Sequence, residues 1–108
     1  MAAARKPVQQ AVKVTDEAGV IRCAAGDGLI REEVWEDAEG NVIRFNLAFI
    51  NFHLYPGDNG RVLGYDTAHG HPHRHFAGTV EQIEPVPYDV IFDRFLAEVA
   101  QLKMRSSL

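Results

Sequence analysis

The sequence predicts an α+β fold, in which an antiparallel β-meander sheet carries one C-terminal α-helix packed on one face. Two observations predict it. Over most of the chain, short apolar or alternating runs are separated by turn-forming residues, which is typical of strands joined by tight connections. The last segment instead repeats apolar residues at three- and four-residue spacing, which indicates an amphipathic helix. A chain of 108 residues is expected to form a single domain with one modest core.

The N-terminal part of the chain gives the weakest strand signals. Residues 1–13 are rich in Ala, Gln and Lys and are expected to be flexible, or to form a weakly ordered first strand. Asp16–Gly19 is predicted to be a turn, and Val20–Ala24 a short strand stopped by the glycines that follow. Leu29–Glu36 alternates in part and predicts the next strand.

The longest strand signal is Asn41–Leu54. Its apolar positions change phase at Phe49 and Ile50, which indicates either a bulge or a strand covered on both faces. Tyr55–Gly60 consists of turn formers and is expected to join this strand to Arg61–Asp66 in a hairpin.

The C-terminal helix is predicted over Tyr88–Met104, after a last strand piece at Thr79–Ile83. Asp89 near its start and Lys103 near its end complement the helix dipole. One face of the helix is apolar and is expected to pack on the sheet: Tyr88, Ile91, Phe92, Phe95, Val99 and Leu102.

Composition narrows the function classes. Apolar content of 46% and charged content of 24% are ordinary for a globular protein. No apolar run approaches the roughly 20 residues that span a bilayer, and the first residues lack the apolar stretch of a secretory signal. The single cysteine, Cys23, excludes an internal disulfide, so a cytoplasmic location is expected. The net charge of -4 argues against broad non-specific binding to nucleic acid.

A histidine-rich motif is the most informative stretch, because four of the five histidines lie within residues 69–75. Gly70 and Pro72 are expected to break regular structure. From His73 the alternation resumes, and residues two apart on a strand point to the same face, with Cα atoms roughly 6.5–7 Å apart. The sequence therefore predicts that His73 and His75 are presented together.

Two neighbouring imidazoles suit acid–base chemistry. An imidazole titrates near pH 6.5, so such a pair can hold one neutral and one protonated ring near neutrality. Arg74 supplies a permanent cation suited to phosphate, but it joins the histidines only if the strand twists or bulges there, since it lies on the opposite face of a regular strand. Tyr65 and Asp66 end the preceding strand and are candidates for orienting an imidazole.

Two other interpretations of the motif stay open. It can be a solvated polar loop, or a site at which His69, His71, His73 and His75 bind a transition metal. A metal site would make the chain a non-enzymatic metal-binding or partner-binding module.

The stretch Leu63–Phe76 resembles the signature of the TumE family of small prokaryotic toxins. That signature has a Tyr-Asp-Asn stretch, a glycine-containing turn and His-Arg-His closing onto a strand. The similarity covers about residues 28–103 and is specific between Tyr65 and His75, with Thr67 in place of the usual Asn. The resemblance implies the toxin of a toxin–antitoxin module, neutralised by a small antitoxin of helix-turn-helix type.

From the residues we expect RNA cleavage that needs neither metal nor cofactor. One of His73 and His75 would take the proton of the 2′-hydroxyl and the other would protonate the leaving oxygen, while Arg74 would stabilise the phosphorane. The remaining residues of the motif, His69, His71 and Thr67, are assigned to substrate contacts. A homodimer is the candidate assembly, and no membrane association is expected.

Overall fold

The computed structural model describes residues 10–68 and 70–108. Its strands form one antiparallel sheet in which spatial order follows sequence order, so the predicted meander and the α+β class are confirmed. The strands are β1 (Val12–Ile21), β2 (Gly28–Glu36), β3 (Val42–Ile50), β4 (Arg61–Ala68), β5 (His71–Phe76) and β6 (Thr79–Gln82), and the helix is α1 (Tyr88–Leu102).

The first strand is longer than predicted. Asp16–Gly19, expected to be a turn, lies inside β1 and pairs with residues 30–33 of β2, and the predicted strand Val20–Ala24 contributes only its first two residues. The ladder to β2 outweighs the turn propensity of these residues, and their polar side chains are tolerated because β1 is an exposed edge strand. Lys13 lies in this strand, whereas residues 1–9 fall outside the described part of the chain.

The change of apolar phase in β3 marks a real irregularity. The register between β3 and β4 shifts between Phe49 and Ile50, which supports the first of the two predicted alternatives, a bulge. On the N-terminal side of the shift, Phe45, Leu47 and Phe49 are all buried. The turn formers of residues 55–60 connect β3 to its antiparallel neighbour β4, as predicted, and include a short 3₁₀ turn at Asp58–Gly60.

The helix packs against the middle of the sheet, on β3 and β4. Ile91, Phe95, Val99 and Leu102 are its buried residues, and the ring of Phe95 meets the ring of Tyr65 edge to face at 6.3 Å between centroids. The predicted helix and its apolar face are confirmed, with the last turn ending at Leu102 rather than Met104. Within the described ranges, no helix has the length and apolar character to cross a membrane.

The predicted break at Gly70 and Pro72 is confined to the β4–β5 turn. Gly70 has a φ of +79°, but β5 begins at His71 and includes the buried Pro72. The Pro72 carbonyl accepts a hydrogen bond from the Ile83 N–H at 3.0 Å. The N–H that proline lacks would point to the same side, where the pairing with β6 ends, so little ladder bonding is lost.

Candidate active site on the open face of the sheet

The alternation of β5 divides the histidine-rich motif between the two faces of the sheet. Opposite residues in a ladder share a face, and Asp66 lies opposite His73 while Tyr65 lies opposite Arg74. Tyr65 packs against the helix, so Arg74 is on the helix-covered side. We call the other side the open face. It carries the odd-numbered residues of β5, and these are His71, His73 and His75.

His75 is locked into a network with two charged residues of β4. Its Nε2 lies 3.0 Å from Asp66 Oδ2, and its Nδ1 lies 3.0 Å from Arg61 Nη2. A guanidinium can only donate, so Nδ1 must be the acceptor and Nε2 must carry the hydrogen. Both ring nitrogens are therefore occupied, and His75 cannot exchange a proton with a substrate without breaking this network.

Arg61 holds the network together, a role that the sequence analysis did not find. Its guanidinium also donates to Asp58 Oδ2 at 2.9 Å and to Asp66 Oδ2 at 3.3 Å. One oxygen of Asp66 thus has two donors, whereas the other, Oδ1, is buried and has no hydrogen-bond partner in the part of the chain that the structure describes. A buried carboxylate oxygen without a donor is costly, so the hydrogen-bonding capacity of Asp66 is incompletely satisfied.

His73 has a different hydrogen-bonding state. Its Nδ1 lies 3.0 Å from the backbone carbonyl of His71. A carbonyl can only accept, so Nδ1 carries a hydrogen and the neutral ring has its lone pair on Nε2. No described residue hydrogen-bonds to that Nε2, and the side chain is partly exposed. His73 is therefore held in one tautomer and is free to take a proton from a substrate.

Arg74 and Tyr65 are committed to holding the helix. The Tyr65 hydroxyl donates to Glu98 of α1, and the Arg74 guanidinium forms an ion pair with the same carboxylate, with Nε 3.2 Å from Oε2. Burial raises the pKa of Tyr65 to about 12, and the hydrogen bond to Glu98 raises the pKa of Arg74. The prediction that Arg74 lies on the opposite face from the histidines of a regular strand is therefore confirmed. Its charge is paired with Glu98 on that face.

The other residues assigned to substrate contact are only partly placed. His71 is exposed at the start of β5. Thr67 accepts a hydrogen bond from the Phe45 N–H through Oγ1 at 3.2 Å, so its hydroxyl is anchored to β3. His69 lies outside the described residues.

A polar cavity of about 350 Å³ lies beside Asp66 on the open face, and the sequence analysis did not predict it. Its walls come from β2, β3 and β4, which no local sequence pattern brings together. The lining includes Glu33, Trp35, Arg44, Asn46, Arg61, Asp66 and Thr67. The Arg44 guanidinium lies over the Trp35 ring at 4.4 Å, and no described carboxylate pairs with it.

Glu33 forms the back of this cavity and is well satisfied. It accepts from Lys13 Nζ at 2.6 Å, Arg31 Nε at 3.2 Å and Asn46 Nδ2 at 3.0 Å. The hydrogen bond from Lys13 holds the pKa of Glu33 below its ordinary value. The carboxylate therefore stays ionised and fixed beside the cavity.

Metal ligands are sparse in the described chain. Within residues 10–68 and 70–108, no group of three or more His, Cys, Asp or Glu side chains is arranged to hold an ion. The thiol of Cys23 is half-buried and lies 3.6 Å from the Ile21 carbonyl.

Comparison with known proteins gives no match: no family model matches the chain, and no characterised protein or solved structure is significantly similar to it.

Proposed function

We propose that this chain is the toxin of a prokaryotic toxin–antitoxin module and cleaves RNA on the open face without a metal ion. One observation carries the enzymatic part of the proposal. His73 is held in a single tautomer by the carbonyl of His71 and has a free Nε2. His71 lies two positions away on the same strand face, at a Cα separation of roughly 6.5–7 Å. The toxin assignment itself is supported by the resemblance of Leu63–Phe76 to the TumE signature.

The reaction uses the ribose 2′-hydroxyl as the nucleophile. His73 Nε2 takes the 2′-hydroxyl proton, the 2′-oxygen attacks phosphorus, and the bond from phosphorus to the 5′-oxygen breaks. The imidazolium of His71 gives its proton to the departing 5′-oxygen. The products are a 2′,3′-cyclic phosphate and a 5′-hydroxyl. This step therefore uses neither a water nucleophile nor a metal ion. His71 replaces His75 as the acid in this scheme, because both nitrogens of His75 are engaged.

The phosphorane needs positive charge on the same face. Arg74 is on the helix side, and Arg61 is shared among Asp58, Asp66 and His75. Arg44 is the cation near Asp66 that no described carboxylate neutralises. It therefore takes the electrostatic role that the sequence analysis gave to Arg74.

The proposal is tested with purified, untagged protein and a labelled RNA in EDTA. The intact chain should generate fragments with cyclic phosphate ends. His73→Ala should lower the rate at least ~100-fold, as expected for loss of a general base. His53→Ala is the matched control, because His53 lies exposed on the β3–β4 connection, and it should cleave normally. Equal rates for the two variants would remove His73 from the chemistry.

The same preparation separates the enzyme from a metal-binding module. Activity should be bell-shaped in pH, with limbs set by two imidazole ionisations, and should be insensitive to chelation. A stoichiometric metal that survives gel filtration, together with loss of any activity in EDTA, would favour the metal-binding alternative.

The biological part of the proposal is tested in cells. Expression of the chain alone should slow bacterial growth, and His73→Ala at matched protein level should relieve it. Co-expression of a small helix-turn-helix protein encoded next to this chain should restore growth. That protein should also co-purify with the chain. A cytoplasmic location and a homodimer remain part of the proposal. Growth unaffected by the wild-type chain would contradict the toxin assignment.

A further inference from the structure

The polar cavity beside Asp66 contains both donors, from Arg44 and Arg61, and an acceptor that lacks a described partner, Asp66 Oδ1. Among the described residues, Asp66 Oδ1 has no hydrogen-bond donor, and Glu33 lines the same cavity. One amide N–H of Asn46 donates to Glu33, which leaves its second N–H and its side-chain carbonyl oxygen for a ligand. A ligand that satisfies Asp66 Oδ1 must therefore bring an N–H group to the Asp66 side of the cavity.

The cavity lies next to the proposed catalytic residues. Asp66 and Ala68 line it from β4, and their cross-strand neighbours are His73 and His71. A nucleotide whose ribose lies at His73 would place its base towards the cavity, with Arg44 available to the phosphate.

We propose that this cavity is the base-binding subsite of the open face and selects bases with an exocyclic amino group over uracil. The inference rests on the proposed RNA-cleaving function for its setting, although the binding itself can be measured without cleavage. Cytosine, adenine and guanine each present an amino N–H to the unpartnered oxygen of Asp66, whereas uracil presents a carbonyl oxygen in the position of the cytosine amino group. Two acceptors facing each other repel and leave both unpaired.

Binding requires a local adjustment. Less than 1 Å² of Asp66 Oδ1 is exposed, so the side chains at the cavity wall must move aside as the amino group enters. Rotamer changes of this kind are common when ligands bind. Once formed, the hydrogen bond is shielded from water and has a charged acceptor. Both features strengthen it.

Substitution of Asp66 by Asn has a definite chemical consequence. The Oδ2 position receives hydrogen bonds from His75 Nε2 and Arg61 Nη1, which both donate. The amide must therefore place its oxygen there and turn its NH₂ to the Oδ1 position. The cavity wall then offers a donor in place of an acceptor, and the preference between cytosine and uracil should reverse.

The test uses 2′-O-methyl tetranucleotides of cytidine and uridine, which cannot be cleaved because the nucleophile is blocked. Titrations followed by protein NMR should show oligocytidine binding about tenfold more tightly than oligouridine, with shifts at Asn46 and Thr67. Asp66→Asn should bind oligouridine more tightly than oligocytidine. Asp16→Asn removes an equal charge from the same face outside the cavity and should keep the wild-type preference.

Several outcomes overturn the inference. Equal binding of the two oligomers by the wild type, no binding of either, or an unchanged preference in Asp66→Asn would each do so. If Asp66→Asn fails to fold, the wild type is titrated with the N4,N4-dimethylcytidine oligomer, which lacks the amino donors and should bind as weakly as oligouridine. Cleavage without a base preference would refute the subsite but leave the proposed function standing, whereas selective binding without cleavage would do the reverse.

Discussion

The two faces of this sheet are built from the same strands but differ in how completely their polar groups are satisfied. On the helix-covered face, Tyr65 and Arg74 share the Glu98 carboxylate. The Tyr88 hydroxyl donates to Glu32 at 2.6 Å, and these polar groups border the apolar core. On the open face, His73 Nε2 has no described partner and Asp66 Oδ1 is buried without one. Because side chains alternate along a strand, adjacent residues of β5 have different environments: Arg74 is held by ion pairs to Glu98 and Glu81, whereas His73 keeps a ring nitrogen without a described partner.

The largest expected effect lies on the helix-covered face. Phe95 is fully buried against Tyr65, so Phe95→Ala should lower the free energy of unfolding by about 3–5 kcal/mol in urea denaturation. Leu96→Ala is the control, because Leu96 is 41% exposed one position away, and it should cost much less. An unchanged unfolding midpoint for Phe95→Ala would mean that the helix is detached in solution or serves a partner.

The second prediction tests whether the ion pair between Arg74 and Glu98 stabilises the fold. Glu98→Gln should lower the free energy of unfolding by about 2 kcal/mol, since it leaves the Arg74 cation and the Tyr65 hydroxyl with a weaker partner in a half-buried position. Glu81→Gln removes the more exposed partner of Arg74 at 3.4 Å and should change stability by less than about 0.5 kcal/mol. Similar values for the two variants would show that Arg74 is not held by Glu98.

Sequence reasoning succeeded where a local pattern determines the structure. The three- and four-residue spacing of Ile91, Phe95 and Val99 predicted the helix. The change of apolar phase at Phe49 located the irregularity of β3, although it left a bulge and a strand covered on both faces as alternatives. It failed at Asp16–Gly19, where pairing with a distant strand overrides local turn propensity.

The candidate site was predicted only in part for the same reason. Alternation placed His73 and His75 on one face and Arg74 on the other, as the structure has them. The role of Arg61 depends on contacts to residues 5 and 14 positions away, and the cavity wall combines three strands. No local signal reports such contacts. Glu98 lies 24 positions after Arg74, so no local pattern indicated this ion pair either.

A third prediction separates the two open-face histidines. His75→Ala removes hydrogen bonds to Asp66 and Arg61 and should lower the free energy of unfolding by about 1 kcal/mol. His73→Ala loses one hydrogen bond to a carbonyl near the exposed turn and should lower the free energy of unfolding by less than half as much. Under the proposed function, it should also lower the rate of RNA cleavage at least ~100-fold. Thermal unfolding and cleavage rates measured on both variants check this. A larger stability loss for His73→Ala would reverse the assigned roles.

The two faces should also respond to pH in opposite directions. Burial raises the pKa of Tyr65 to about 12 on the helix-covered face, whereas an unfolded tyrosine ionises near pH 10. A raised pKa in the folded state means that this contribution is complete below pH 10 and is lost as pH rises through about 12. Tyr65→Phe should therefore flatten the decline in stability above pH 10. An identical decline in stability above pH 10 in the variant would show that a group other than Tyr65 causes it.

The smallest expected effect is the acid response of the open face. Lys13 holds the pKa of Glu33 below its ordinary value, and that of Asp16 likewise. A lowered pKa in the folded state gives stability that is present above the unfolded value, near pH 4, and is lost as pH falls further. Glu33→Gln should therefore be less stable than the wild type at pH 7 and approach it below pH 4. Glu39→Gln, on the exposed β2–β3 turn, is the matched control, and its urea midpoint should follow the wild type over the whole range. If the stability difference between Glu33→Gln and the wild type persists unchanged at pH 3, packing rather than the ion pair with Lys13 stabilises this edge of the open face.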